Sequence, residues 1–396
     1  SLVINIYTTA FKMYYSMLKS VIYLWIILFT MGCDQDEFGK VGSNQEQYLL
    51  VVDTVEVEGV EESVWILDKR DDIFLGMNKQ RNAIYLINEA GDLRKIIRKE
   101  GEGPEEYQRI VKAGMLDSSR IVVINQSSLY LYDTEGTFIR SCSDLFTDFL
   151  ITNYPHAFFQ SPKNSVVFTA YHPSNAAMDL NYFSDTTNFL YTAYDPYTCS
   201  FTNFGAFEKG SIYREEFFPN MRSGIFDIGP KTGYVYSVLP FDRQMTIYDV
   251  QGRGELVGVH QLSPESFPKA KGVSPTDDGI MSQLHLIQRN ARNTRLRVSA
   301  DEEYMLIRYK EKRPDDKVED SLVGFNTSSY APPHYFSLYT TDGEKVANDF
   351  IDPTEATLFE FSSLNELWFF QTSITNEKGL SEEGLFLLKA KIRSEE

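Results

Sequence analysis

The sequence predicts an all-β chain, a six-bladed β-propeller closed by its own N-terminal strand. Three observations carry that expectation. One supersecondary unit recurs six times. Apolar residues inside each copy alternate with period two, as half-buried strands require. The composition is 42% hydrophobic and 14% aromatic, with 28 Phe and 24 Tyr, and aromatics pack well on a pleated surface.

Each copy has an Asp-, Ser- or Asn-rich turn, a short β-like run, a second run and a closing turn of Asp/Asn-Gly type. The first is Asp71-Asp72, IFLGM, AIYLIN and Glu89–Asp92. The second is Asp117–Ser119, RIVVI, SLYLYD and Thr134–Gly136. The third joins SVVFTAY, after Ser161–Asn164, to FLYTAYD, ending at Pro196. The fourth runs from Lys231–Gly233 through YVYSV and QMTIYD to Gly252, and the fifth from Ala300–Glu302 through EYMLIRY and HYFSLYTTD to Gly343. The sixth joins LNELWFF, after Ser362-Ser363, to EGLFLLKAKI. Asp, Asn and Gly suit these turns because they tolerate positive φ.

Repeated four-stranded units avoid open sheet edges by circling an axis. Two β-sandwiches side by side are the competing architecture, and the number and even phrasing of the repeats favour the ring. Closure requires the first and last segments to share a blade, and the strand-like Tyr48–Val57 (YLLVVDTVEV) is placed to complete the sixth. Roughly 60 residues per copy exceeds the ~40–45 of a minimal blade. The excess is assigned to His172–Asn188, Thr202–Gly229 and Leu262–Arg295.

The N-terminus reads as an export signal. Val21–Met31 is an unbroken apolar run behind Lys19, too short to span a bilayer but suited to a signal peptide. Thr30-Met31-Gly32-Cys33 resembles a bacterial lipobox, whose Cys is lipidated and becomes the mature N-terminus. Thr30 and Met31 depart from the usual Leu and smaller residue. The expected organisation is a signal peptide over 1–32, a lipid-anchored tether over 33–46 and the propeller over 47–396. Met13 or Met17 makes a better start than Ser1, and because Met17-Leu18-Lys19 forms a compact beginning, residues 1–16 are expected to be an over-extended start. Asp34-Gln35-Asp36-Glu37 resembles the surface-export signal of lipoproteins in Bacteroidetes-type bacteria. The expected address is the outer membrane or cell surface, with a periplasm-facing lipoprotein as the alternative. Cys142 and Cys199 are either a disulfide or two buried thiols, and the latter is the expectation.

Arg98–Tyr107 (RKEGEGPEEY) carries a family resemblance. It is similar to the G-x-G-P-G-E-[FY] phrase of the six-bladed β-propeller lipoproteins of Bacteroidetes-type bacteria, relatives of NHL-repeat proteins. Gly101, Gly103, Pro104, Glu106 and Tyr107 match, and Glu105 replaces a Gly. The resemblance implies a cell-envelope propeller of mostly unassigned function. The residues themselves suit a connector between blades, with positive φ expected at the glycines and Pro104 stiffening the exit. The alternative is a ligand-facing loop at the mouth of the axis.

The chemical search excludes more than it finds. A net charge of -18 argues against nucleic-acid partners. HExxH, CxxC, P-loop and Gly-x-Ser-x-Gly motifs are absent. His156, His172, His260, His285 and His334 include no i, i+3 or i+4 pair, and Asp277-Asp278-Gly279 lacks the distal ligands of a calcium loop. No catalytic residue, metal or cofactor is assigned. Aromatics in the insertions are candidates for stacking on a sugar: Tyr182, Phe183, Tyr213, Phe217 and Phe218. Their competing role is packing between blades. Thr202–Gly229 is expected to be ordered over one face of the ring near the axis mouth, and Ile280–Arg295 to hold a short helix. The functional expectation is a lipid-anchored, non-catalytic binding or scaffold propeller with a glycan or protein partner. The alternative is a hydrolase or lactonase-like enzyme with an axial site.

Overall fold

The alternating runs form strands because each presents one apolar row to a neighbouring sheet. In the computed structural model the described residues are 47–60, 63–125, 127–143, 150–151, 159–160, 165–171, 189–218, 223–251, 253–274, 286–312, 333–354, 356–375 and 381–394. They build six antiparallel sheets in a ring. Blade 1 is β2 (Val64–Arg70), β3 (Ile73–Asn78), β4 (Ile84–Asn88) and β5 (Leu93–Ile97). Blade 2 is β6 (Lys112–Asp117), β7 (Arg120–Ile124), β8 (Leu129–Asp133) and β9 (Phe138–Cys142). In blade 3 two short pieces, β10 (Leu150–Ile151) and β11 (Phe159–Gln160), pair with β12 (Val166–Tyr171), followed by β13 (Tyr191–Asp195) and β14 (Ser200–Phe204). Blade 4 is β15 (Ile225–Ile228), β16 (Tyr234–Val238), β17 (Gln244–Asp249) and β18 (Glu255–Gln261). Blade 5 is β19 (Arg292–Val298), β20 (Tyr304–Lys310), β21 (His334–Thr340) and β22 (Phe350–Ile351). Blade 6 is β23 (Thr357–Ser363), β24 (Glu366–Thr375), β25 (Ser381–Ser394) and, outermost, β1 (Gln47–Glu56). The six copies seen in sequence are the second and third strands of the six blades.

β1 pairs with β25 from Gln47 opposite Ser394 to Glu56 opposite Phe386, with one bulge at Val52. The two ends of the ring thus share a sheet, as expected from Tyr48–Val57. Leu49 anchors β1 in an apolar cluster with Leu388 and Ile392 of its own blade and Phe336 and Leu338 of blade 5. The six largest apolar clusters each fill one boundary between neighbouring blades.

The two faces of the ring differ. On one, strands are joined mostly by short turns, such as Asp71-Asp72 between β2 and β3 and Thr134–Thr137 between β8 and β9. Among the described residues the longer connecting stretches, 98–111, 205–218 and 262–274, run on the other. We call them the turn face and the loop face.

Two insertion boundaries need correction. Thr202–Gly229 includes the end of β14 and all of β15, and Leu262–Arg295 includes the start of β19. The true connections, 205–224 and 262–291, still fall on the loop face. The described part of 205–224 is ordered: Ser211 caps a 3-10 turn at Ile212–Arg214, and Phe217 bridges to Val273. Leu286–Arg289 is one helical turn within the expected helix, whose residues 280–285 lie outside the described ones.

Cys142 and Cys199 form a disulfide, with Cα atoms 5.7 Å apart. The expectation of two free thiols is therefore wrong. The bond ties the end of β9 in blade 2 to the β13–β14 turn of blade 3, so contact across a blade boundary, invisible in linear spacing, brings the sulfurs together.

Deleting 47–57 should leave the β25 edge unpaired and cause aggregation. Size-exclusion chromatography and thermal melting check this; a monomer with unchanged Tm contradicts it. Cys142→Ser should cost roughly 2–4 kcal/mol of stability, seen as a lower chemical-denaturation midpoint under non-reducing conditions, and reductant should lower the wild type to the same level.

Candidate functional site: the charged axis

The inner strands β2, β6, β11, β15, β19 and β23 neighbour one another in that order and return to β2. In blades 1 and 4, on opposite sides of the ring, an inner-strand Asp performs the same task. Asp68 accepts from the Lys69 N–H at 2.9 Å and, through its other oxygen, from the Met115 N–H of blade 2 at 2.9 Å. Asp227 accepts from the Ile228 N–H at 2.9 Å and from the Val298 N–H of blade 5 at 2.9 Å. Each carboxylate joins its blade to the inner strand of the next.

Basic groups converge on these acids. Arg297 Nη1 lies 3.4 Å from Asp227 Oδ1, with both side chains buried. Arg70 Nε is 4.0 Å from Asp68 Oδ2. Arg295 donates through Nε to the Leu358 carbonyl of blade 6 at 2.7 Å. Glu360 on β23 completes the group from blade 6. Three of these residues directly follow a bulge: Asp68 after Leu67, Arg295 after Thr294 and Glu360 after Phe359. A bulge adds a residue and re-aims the side chains beyond it, placing charge on strands otherwise committed to apolar packing.

The electrostatics follow from this crowding. Burial raises the Glu360 carboxyl to about 7; Arg297 and Arg70 oppose the rise, while Asp227 and Asp68 add to it. Burial also raises Asp227, against the pull of Arg297 and two backbone N–H groups. Arg70 resists its burial and is held above its ordinary value by Asp68, Glu360 and Asp227. Arg295 is lowered by burial and by Arg297 and Arg308. Carboxylates matched by guanidinium groups suit charge compensation or recognition of a charged ligand. Among the described residues no group of three or more His, Cys, Asp and Glu is arranged to hold a metal ion.

Lys112, at the loop-face end of β6, is a different case. It is 4% exposed, and its Nζ has no hydrogen-bond partner. Burial lowers it to about 7.

The matched family phrase lies on the connection from β5 to β6 and acts as a blade connector. Tyr107 is fully buried, and its hydroxyl donates toward the carbonyls of Asn82 and Ile97, both at 3.2 Å. Glu106 accepts from the Gly103 N–H at 2.9 Å. Pro104 sits between these two residues, and Tyr132 of blade 2 donates to the Glu105 carbonyl at 2.8 Å. The glycines serve differently than expected, because neither has positive φ. A Cβ on Gly101 would fall 1.9 Å from Glu106 Oε2, so the hydrogen at that position makes room for the carboxylate.

Of the proposed sugar-stacking aromatics, the three described ones do not present themselves to solvent. Tyr213, Phe217 and Phe218 are all buried, and Tyr213 and Phe218 pack with Phe207 and Phe241 beneath the loop face. Their density reflects a secondary core under the loops. Tyr182, Phe183 and Cys33 lie outside the described residues, as do His156, His172, His285 and Asp277–Gly279. The charged axis escaped the sequence reading, although Arg289, Arg292, Arg295 and Arg297 fall within one short run of an acidic chain.

These sheets and their closure define a six-bladed β-propeller. A member of the DUF4221 family from Bacteroides vulgatus shares the fold with TM-score 0.63 and 12% identity, covering 89% of this chain and 100% of that one. A candidate exported protein from Bacteroides fragilis has TM-score 0.53 and 15% identity, covering 88% and 96%. No family model matches the sequence, and no curated protein does. At these identities the likeness establishes the fold, the one expected of Bacteroidetes-type propellers.

Glu360 and Lys112 give opposite pH signatures. The folded carboxyl titrates above its unfolded value of 4.5. Its ionisation therefore destabilises the ring increasingly as pH rises from about 4.5 through about 7. Glu360→Gln should stabilise by about 1–2 kcal/mol at pH 8, below the full shift because Glu360 keeps some access to axial water, and the gain should vanish near pH 4. Lys112 titrates below its unfolded value, so its cost is greatest below pH 7 and fades towards 10.5. Lys112→Met should raise Tm at pH 6 and have a smaller effect at pH 10. Denaturation curves across that range check both, and pH-independent differences contradict them.

Proposed function

We propose that this protein is a cell-envelope lipoprotein, anchored through Cys33 at the outer membrane or cell surface, whose propeller is a non-catalytic binding module. Its ligand, a glycan or a protein segment, is met on the loop face. One observation carries the reading: among the described residues the longer connecting stretches, 98–111, 205–218 and 262–274, gather on one face of the ring, and short turns join the strands on the other. Loops on a rigid scaffold are where binding function concentrates. The disulfide supports export, because such bonds persist in oxidising compartments. The signal-like run, Gly32-Cys33 and the acidic stretch behind them support the anchor. Among the described residues no helix is long and apolar enough to cross a membrane.

An enzymatic reading draws on Glu360. A carboxyl raised to about 7 beside Asp68, Asp227 and two guanidinium groups has the protonation behaviour of a general acid. Hydrolysis of ester, lactone or glycoside substrates by wild type, abolished by Glu360→Gln, would establish this reading over the first.

Cys33→Ala should shift the protein from the membrane to the soluble fraction and remove fatty-acyl labelling. Retention of both would refute the anchor. Soluble protein beginning at Gln45, applied to glycan and peptide arrays, should bind a restricted ligand set. Binding should be blocked by modifying loop-face side chains and survive substitutions in the turn-face connections; the reverse pattern would refute the placement.

A further inference from the structure

At the loop-face end of blade 1 two arginines stand together with no acid to answer them. Arg81 belongs to the short turn from β3 to β4, and Arg109 to the connection from β5 to β6. The Arg81 carbonyl accepts from the Ile110 N–H at 2.7 Å, which fastens the two segments side by side. Asn78 fixes the turn itself, its Oδ1 accepting from the Asn82 and Ala83 N–H groups at 3.0 and 3.1 Å. The Arg81 guanidinium lies over the Trp65 ring, 5.7 Å from its centroid. Trp65, on the inner strand β2, packs against the apolar clusters of both boundaries of its blade.

A guanidinium held over an aromatic face keeps its N–H donors, which lie in its own plane, available to a third group. Among the described residues no hydrogen bond or ion pair takes the side-chain donors of Arg81 or Arg109. Two acids of the same connection have other tasks: Glu100 accepts from Asn82 Nδ2 and Glu106 from the Gly103 N–H, both at 2.9 Å. Burial, then the charge of Arg109, lower Arg81, and no carboxylate offsets them. This happens in a chain with 56 acidic and 38 basic residues. The backbone is unusual at the same place. Arg81 has φ 62°, in the left-handed region. The other described non-glycine residues with positive φ, Asp71, Cys199, Arg253 and Glu302, all lie in turns of the turn face. A side chain in that region costs roughly 1–2 kcal/mol that glycine avoids, so the position holds its arginine against backbone preference.

We propose that Arg81 and Arg109 form a binding site for a small oxyanion-bearing ligand, whose carboxylate or phosphate group is received at the loop face between blades 1 and 2. This rests on the loop face being the binding face and names the chemistry recognised there. Arg81, oriented by Trp65, offers the planar donor pair that matches two oxygens of a carboxylate or phosphate. Arg109, exposed beside it, adds a second charge-assisted hydrogen bond. A bound anion also offsets the repulsion between the two guanidiniums. The net charge of -18 repels an extended polyanion, so the ligand that fits carries one or two anionic groups, as a sugar acid or sugar phosphate does.

The test uses soluble protein beginning at Gln45, whose tryptophans are Trp65 and the buried Trp368. It is titrated with sodium glucuronate and with inorganic phosphate, each against sodium chloride at equal ionic strength. Saturable binding by calorimetry should accompany a change in tryptophan fluorescence. Trp65→Phe should keep the binding, since a ring remains beneath Arg81, and lose the fluorescence change. Arg81→Gly with Arg109→Gln should weaken binding by about ten-fold or more. This pair should melt no lower than wild type in chloride, because glycine suits φ 62°. Arg109→Gln alone, at an exposed position, should weaken binding by a smaller factor without touching the turn. Arg253→Gly on the turn face, which also removes an arginine of positive φ, should leave binding unchanged. Tighter binding of glucuronate than of phosphate identifies a carboxylate ligand, and the reverse a phosphate. No saturable binding of either anion, equal binding by wild type and the double variant, or an effect reproduced by chloride overturns the proposal. An array ligand whose loop-face binding is unaffected by the double variant overturns it while leaving the loop-face reading intact.

Discussion

The pairing of β1 with β25 is the constraint on which the rest depends. A ring of sheets has no intrinsic end, but a chain has two, and a gap between first and last blades would expose two strand edges and one apolar boundary. Sharing blade 6 between the termini removes that gap. The other boundaries can then be filled identically, each by its own apolar cluster. Burial of each large aliphatic or aromatic side chain is worth about 1.5–3 kcal/mol, so stability is spread around the circumference and no blade dominates it.

Inside that apolar frame the axis is polar. Asp68 and Asp227 tie successive inner strands together through backbone N–H groups, and the nearby arginines balance their charge. Buried ion pairs add little net stability compared with well-packed apolar residues. Their effect here is directional: a carboxylate that must find one particular N–H on the next strand specifies blade register, which apolar contacts alone define less sharply. In blade 5 the register sets Arg292 opposite Lys310 and Arg295 opposite Arg308, and Asp352 answers Arg308.

How much was legible in the sequence follows from the range of each signal. Period-two alternation and turn chemistry are local, so the second and third strands of every blade, and β1, could be read directly. Inner strands were harder, because bulges at Leu67, Thr294 and Phe359 break the alternation there. β15 has no bulge, but at four residues it was too short to read as alternation and was absorbed into a supposed insertion. Tyr213, Phe217 and Phe218 were conspicuous as aromatics, but composition does not distinguish a secondary core from a stacking surface. The Cys142–Cys199 bond and the axial charges depend on which blades face each other, a long-range fact. The arginine run preceding and forming β19 was local and visible; a scan for clustered charge against the background of an acidic chain would have found it.

The disulfide has a consequence for the backbone between its two cysteines. Any single cut between residues 143 and 198 leaves two fragments that remain covalently joined. The connection between β12 and β13 lies within that span. A cut there would release neither half, because the bridge joins the two fragments and the packed blades hold them in register. The bridge thus acts as a safety catch for the stretch of chain from the end of β9 to the start of β14.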